Sequence, residues 1–438
     1  MRRILPPVLA LVFSAFAIHA VAQAPARPDA TTQPSIAAEA GPVTLPPPSE
    51  MAVRFYESGI ALWLAQIGWE ILVPAVVVFT GFSARIRKIA QFLGRKWFFT
   101  VAIYGVIFSA LLYIANLPLD FYAGYVRLHA YGISTETLAK WRRDSLLEFA
   151  ISTAGTALLL WIPYLLVRKS PKRWWLYTGL LVYVFIAFNQ LIQPTWIDPL
   201  FNDFTRMKDK ALETKILALA DRAGIEGGDV FEVDKSVETK AYDAYVTGIF
   251  HTKRIVLWDT IIKGFNEDEL LFVMAHEMGH YALGHVYMAI LFFGTLFMIG
   301  LYAIHRSAGW VVTRYKNRLG FDEVSDVASY PLVLVLLSVT TLVLQPAAMA
   351  FSRHLEHESD RFGLELVQNN HAAATAFVKL FQENLGYPNP HPLVKLWRSS
   401  HPTLTERIGF CNTYRPWETG APLKYGHLFK PLAEKPSS

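Results

Sequence analysis

Three residues within LFVMAHEMGHYALGH, residues 271–285, carry the clearest chemistry in the chain: His276, Glu277 and His280, spaced as H-E-x-x-H. On a helix, positions four apart lie about 40° apart in projection, so both imidazoles face one point, as two ligands of a single Zn2+ ion must. The carboxylate of Glu277, one residue after the first imidazole, reaches a water held at that point. Zinc acidifies such a water and the carboxylate takes its proton, which is the chemistry of metal-assisted attack on a peptide carbonyl. The preceding EDELLFVMA puts acidic residues in a first turn and apolar residues at helical spacing, which supplies the helix the motif requires.

A hydrolytic zinc needs a third protein ligand and one open position. A further histidine six residues after His280 would complete one known spacing, but Val286 stands there. His285 lies nine residues after His276, on the opposite face of a continuous helix. The helix-compatible run FSRHLEHESDRFGLELV, residues 351–367, offers Glu356 as the ligand, with Asp360 one turn on to accept a hydrogen bond from a ligand imidazole. His354 and His357, on other faces, compete for the ligand role, and a solvated charged helix is the plain alternative for the whole run. In NPHPLVKLWRSSHPTLTERI, His401 and Arg407 form a donor pair suited to a developing oxyanion. Their types alone favour a surface histidine and a helix-stabilising arginine. The single cysteine, Cys411, excludes both a thiolate metal cluster and an intrachain disulfide.

The elements that must position these residues sit in a chain of 438 residues that is 53% hydrophobic, the composition of a polytopic membrane protein with a compact domain. Six apolar segments, at about 59–82, 97–117, 147–167, 174–196, 286–305 and 330–350, each approach the roughly 20 residues that cross a bilayer. The fifth is expected to continue directly from the H-E-x-x-H helix. Pro74, Pro163 and Pro346 fall inside these segments, as kinks or as signs of helices packed round a cavity. The net charge of +5 lies in short loops between the spans, which reads as membrane topology and gives no nucleic-acid partner. Basic clusters at 85–96, 168–173 and 306–318 share one side if the spans alternate, and that side is expected to be cytoplasmic. Arg127, Lys140, Arg142 and Arg143, on the other side, weaken the asymmetry.

Residues 1–24 read as a secretory signal peptide or an anchor, and 25–55 as a disordered linker rich in proline and alanine. Residues 56–197 hold four spans. Residues 198–410 hold the metal-binding domain with the last two, and 411–438 form a C-terminal tail. The motif then faces the periplasmic or outer side of a bacterial inner membrane, with a cytoplasmic-facing site as the alternative. Within 198–266, an amphipathic helix over 209–223 precedes three alternating stretches, VFEVDKS, AYDAYVTG and RIVLWDTII, with Lys253 near a turn. A sheet edge beside a zinc helix can take a substrate peptide as an added strand.

The motifs HEMGHYALGH, SRHLEHESD and SHPTLTERI, with LPLDFYAGYVRLHAYGISTETL and QPTWIDPLFNDFT upstream, occur in an order that resembles the integral-membrane zinc metalloproteases typified by the type I CAAX prenyl protease, over about Tyr56 to Phe410. The resemblance implies a mainly α fold: a polytopic membrane helical barrel around an intramembrane chamber, with a small α+β zinc metalloprotease domain. It implies one Zn2+ held by His276, His280 and Glu356, with Glu277 as general base and Asp360 as the acid behind a ligand. His401 and Arg407 match residues that contact substrate and the oxyanion. Asp243 departs from the family, which commonly has asparagine there. The signal-like start and the charge pattern favour unprenylated membrane or envelope peptides as substrates over prenylated CAAX ends. A non-cleaving membrane scaffold or holdase is the alternative from another class.

Overall fold

The computed structural model describes residues 41–225, 227–248 and 254–431. The signal-like segment 1–24, the linker up to residue 40, Lys253 and the last seven residues lie outside the described residues. Among the described residues, six helices are long and apolar enough to cross a membrane: Glu50–Phe79, Trp97–Ala130, Leu138–Lys169, Trp174–Leu200, His285–Leu319 and Val327–Val367. They contain the six expected apolar segments almost entirely and extend beyond them. Pro74 and Pro346 sit inside continuous helices, whereas the third span divides into Leu138–Leu159 and Trp161–Lys169 just before Pro163.

Several expectations are corrected. The fifth span does not continue from the motif helix, because that helix, Glu267–Ala282, stops short of Gly284 and a new one starts at His285. Gly284 has φ +66°, a left-handed conformation that a residue without Cβ adopts freely. The basic loop after the first span is itself a helix, Phe82–Gly94, with Ile86 and Ala90 buried and Phe92 and Leu93 exposed. Of the stretch expected as a disordered linker, the described residues 41–55 pack on the fold and enter the first helix at Glu50. Val43 is bracketed by Asn412, whose Oδ1 accepts from the Val43 amide at 3.0 Å while its Nδ2 donates to the Val43 carbonyl at 2.9 Å.

The three basic clusters meet at one end of the bundle. Arg87 pairs with Asp326 and donates to the Gly320 carbonyl, Ser83 donates to the Ala328 carbonyl, and Arg168 lies over the Trp97 ring. At the other end, most of the basic residues that blur the charge pattern are internally engaged. Arg127 is buried and donates to the Phe55 carbonyl at 2.6 Å. Lys140 reaches Asp144 at 3.0 Å and Glu238 at 2.9 Å, and Arg143 pairs with Asp144 at 2.9 Å. The Lys140–Glu238 pair also ties the third span to the domain that follows.

That domain is built on a four-stranded mixed sheet in the order β1-β2-β4-β3: β1 Phe204–Arg206, β2 Asp229–Val233, β3 Ala244–Thr247 and β4 Arg254–Trp258. Two strands, β3 and β4, fall within the expected stretches, and β2 starts one residue before its own, at Asp229. In the third stretch, only RIVLW is strand and the following Asp259–Gly264 is helical. β1 was not foreseen. The helix Lys210–Arg222, capped by Asp209, matches the expected amphipathic helix. The central β4 is apolar and buried, while β3 is an edge strand that packs beside the motif helix.

The sixth span runs unbroken as Tyr330–Val367, so one helix carries the chain from the bilayer to the metal-ligand candidates. This ligand helix crosses the motif helix in the most extensive contact between any two elements. Glycines allow the approach: a Cβ at Gly363 would stand 3.0 Å from the His276 backbone nitrogen, and one at Gly279 would stand 3.1 Å from Phe362 Cβ. The C-terminal segment braces the far side of the ligand helix. Buried Glu365 accepts from the Lys424 and Tyr425 amides at 2.9 and 2.7 Å, and from the Tyr414 hydroxyl.

Gly363→Val places two methyl groups against the motif-helix backbone. It is expected to cost about 1–3 kcal/mol in denaturant unfolding through overpacking, and to weaken metal binding by moving Glu356 off the imidazoles. Wild-type stability and metal content in this variant would contradict the close-crossing account.

Candidate active site

The motif helix starts with a capping box. Asn266 Oδ1 accepts from the Glu269 amide at 2.9 Å, and Glu269 accepts from the Asn266 amide at 3.0 Å. Lys379 holds the same glutamate at 2.5 Å, which fixes the helix before its polar residues reach the crossing. Three turns on, His276 and His280 turn their Nε2 atoms toward each other, 3.3 Å apart. Glu356 brings Oε2 to 3.3 Å from His276 Nε2 and Oε1 to 3.5 Å from His280 Nε2. Among the described residues these three form the group able to hold a metal ion, with all ligand atoms within 4.8 Å of one another.

The spacing itself tests the fit. Donor atoms about 2.0–2.1 Å from a tetrahedral zinc lie roughly 3.3–3.4 Å from each other, the separation seen between the two imidazole Nε2 atoms, 3.3 Å, and between His276 Nε2 and Glu356 Oε2, 3.3 Å, while His280 faces the second carboxylate oxygen, Oε1, at 3.5 Å. Two neutral imidazoles and a carboxylate are also a donor set that a borderline cation prefers. His354 and His357 stay outside the group. His354 lines a separate cavity, and His357 contacts Arg361 and the Phe410 ring.

Behind the cluster, Asp360 Oδ1 lies 2.9 Å from His276 Nδ1. Arg407 holds the same carboxylate with two nitrogens: Nε donates to Oδ2 at 2.8 Å and Nη2 to Oδ1 at 2.5 Å. Its guanidinium lies 3.9 Å above the Phe377 ring centre. Arg407, expected to serve a developing oxyanion, thus turns Nε and Nη2 to Asp360, with Nη2 also 3.9 Å from Glu356 Oε2. The S/T-x-x-E box Thr403–Glu406 starts the helix that aims Arg407 inward. His401 sits in the loop just before it, with Nε2 at 3.1 Å from Glu356 Oε2 and Nδ1 at 2.8 Å from Ser400 Oγ. Arg353 of the ligand helix pins that loop through the Ser399 carbonyl at 2.8 Å.

Glu277 lies one step from the cluster, its Oε1 4.0 Å from His276 Nε2, and its side chain is 21% exposed. Burial pushes its carboxyl up to about 8, and the neighbouring charges of Asp243 and Glu356 act in the same direction. Asp243, on the chain entering β3, accepts from the Ala244 amide at 2.9 Å. Burial drives His280 down to about 3. His276 goes the other way: against burial, contacts with Asp360 and Glu356 raise it to about 10.

His285 was set aside because it falls on the far face of a continuous helix. The turn at Gly284 instead brings its ring to His280, Nδ1 to Nδ1 at 3.1 Å. The glycine within an otherwise helical run was the available signal.

Two imidazoles on one helix, a carboxylate from a crossing helix that rises out of a membrane bundle, and a carboxylate base beside them define a membrane-embedded metallopeptidase. The comparisons with known proteins agree. Residues 206–414 match peptidase family M48, and residues 57–203 match the CAAX prenyl protease N-terminal domain, described as five membrane helices. The uncharacterized metalloprotease YhfN of Bacillus subtilis is 38% identical over 374 residues, 84% of this chain and 87% of the relative. CAAX prenyl protease 1 of Saccharomyces cerevisiae is 28% identical over 321 residues, 69% of this chain and 70% of the relative. The crystal structure of S. mikatae Ste24p superposes with a TM-score of 0.71 at 23% identity, covering 82% of this chain and 87% of that one. The chain belongs to peptidase family M48, in the integral-membrane group typified by the CAAX prenyl proteases. It is an integral membrane metalloendopeptidase with the fold of a helical chamber protease, and the non-cleaving scaffold falls away.

The charge state of His276 gives metal binding a pH dependence. With its pKa raised to about 10, the metal-free imidazole holds a proton at neutral pH, and a metal must displace it. Apparent metal affinity is therefore expected to rise at least about tenfold per pH unit from pH 6 to 8, flattening toward pH 10. Competition with a chromophoric chelator at several pH values measures this, and an affinity independent of pH would contradict it.

Proposed function

We propose that the metal is zinc, seated by His276, His280 and Glu356, and that the enzyme cuts unprenylated membrane or envelope peptides on the outer side of a bacterial inner membrane. The observation that carries the zinc reading is the convergence of two imidazole Nε2 atoms, 3.3 Å apart, with the Glu356 carboxylate, whose two oxygens lie 3.3 and 3.5 Å from them. A zinc ion in that seat supplies Lewis-acid chemistry, acidifying water and polarising a carbonyl. Glu277 takes the proton from the attacking water and returns it to the leaving amine, the work of a base whose pKa lies near the operating pH. Asp360 accepts from His276 Nδ1 and holds its Nε2 toward the metal position, and Arg407 keeps Asp360 ionised and oriented. His401, whose Nε2 faces Glu356, and Arg407 are the candidate donors to a carbonyl oxygen as it gains charge.

The substrate backbone pairs with the outer edge of β3, the edge strand of the sheet, which lies beside the motif helix. Main-chain hydrogen bonds there hold a peptide whatever its side chains, so selectivity comes from which segments reach the chamber. The orientation rests on the three basic clusters that share one end of the bundle, while Arg127, Lys140 and Arg143 at the other end are internally engaged.

Glu277→Gln is expected to keep about one zinc per chain and to lower kcat/KM on a quenched peptide by at least about a hundredfold. A variant with full turnover removes Glu277 from the chemistry. Peptides trapped by this variant should come from membrane and envelope proteins, and trapping confined to prenylated C-termini would refute the substrate reading. Cys411 is buried, so a cysteine introduced at Gln91 can report orientation. It should resist impermeant reagents added to intact cells, and labelling from outside would reverse the topology.

A further inference from the structure

An imidazole that turns Nε2 to a metal carries its proton on Nδ1, and that N–H needs an acceptor to hold the ring in place. For His276 the atom facing Nδ1 is Asp360 Oδ1, at 2.9 Å. The atom facing His280 Nδ1, at 3.1 Å, is Nδ1 of His285. The two rings meet edge to face, with centres 5.0 Å apart and planes inclined by 76°. His285 is 5% exposed, and Ser359 Oγ lies 3.3 Å from the same Nδ1.

We propose that His285 is a positioning residue for His280: its Nδ1 accepts the His280 Nδ1 hydrogen, which fixes the tautomer and ring angle of the second imidazole ligand. The inference rests on the metal seat described above. When His280 turns Nε2 to the metal it must donate from Nδ1, so His285 is neutral and carries its own proton on Nε2. The outer face of His285 lines a cavity shared with His354, Glu358 and Tyr425, where polar groups are at hand for that N–H.

A neutral acceptor suits this position. Glu356, Asp360 and Glu277 already bring three carboxylates, with Asp243 close enough to act on Glu277, against which stand the divalent ion and Arg407. A carboxylate behind His280 as well would add one more negative charge to the site, whereas an imidazole supplies the hydrogen bond without the charge. The backbone makes the contact available only because the motif helix ends before Gly284, which folds His285 back onto the helix it follows.

The test uses the full chain in detergent or lipid nanodiscs. Zinc affinity is measured by chelator competition, and the cobalt-substituted protein is examined by visible absorption. His285→Leu removes the acceptor and is expected to weaken zinc binding about 10- to 100-fold and to shift the cobalt bands. His285→Gln restores an acceptor oxygen and should recover affinity to within a few-fold of wild type. His285→Phe keeps the ring's bulk without the acceptor, and should match the leucine variant; it also serves if leucine disturbs folding. Wild-type affinity in the leucine and phenylalanine variants overturns the proposal, as does equal weakening in the glutamine variant, which would mark a packing role. A wild-type protein that takes up no zinc would sink the metal seat, and this proposal with it.

Discussion

The site depends on how closely two helices cross. A carboxylate from one element must reach within about 3.5 Å of two imidazole nitrogens on another, and a glutamate side chain is short, so the backbones must nearly touch. Gly279 and Gly363 remove the side chains that would hold them apart. Everything else stabilises that crossing. The capping box and Lys379 fix the start of the motif helix, the C-terminal segment braces the ligand helix through Glu365, and Arg407 clamps Asp360 behind His276. Each of these buried polar groups has partners, which a low-dielectric interior demands.

The ligand helix is also a membrane span, and this joins the two halves of the molecule. Because Tyr330–Val367 is unbroken, the last span and Glu356 belong to one continuous helix. The first half is tied to the same body through Lys140 and Glu238 and through the backbone bond from the Lys240 amide to the Ile133 carbonyl. Bundle and site thus behave as one construction, with the chemistry mounted on the end of a transmembrane helix.

Much of this was legible in the sequence, for identifiable reasons. The spacing of His276 and His280 speaks through helical periodicity alone, and the spans through their length and hydropathy. Glu356 could be read as a ligand only because the motif demanded a third donor, and the resemblance narrowed the choice against His354 and His357. What escaped has physical causes too. A three-residue strand such as β1 has too few positions to show alternation. Phe82–Gly94 presents a buried face, an apolar outer face and a basic face, so its periodicity looks like a charged loop. Arg407 carries the charge an oxyanion needs, and nothing in its spacing announces that Nε and Nη2 turn to Asp360. Gly284 reads as one more helical residue until its left-handed conformation is seen, and with that turn His285 changes from a residue on the wrong face to a neighbour of His280.

The central claim is that one zinc ion is held by two imidazoles from one helix and one carboxylate from the helix that crosses it. X-ray absorption at the zinc edge of the purified protein measures this most directly. The account predicts two histidine nitrogens and at least one oxygen at about 2.0–2.1 Å, with the oxygen and imidazole contributions altered in Glu356→Ala. A zinc environment unchanged by that substitution, or a sulfur or third histidine in the first coordination sphere, would contradict it.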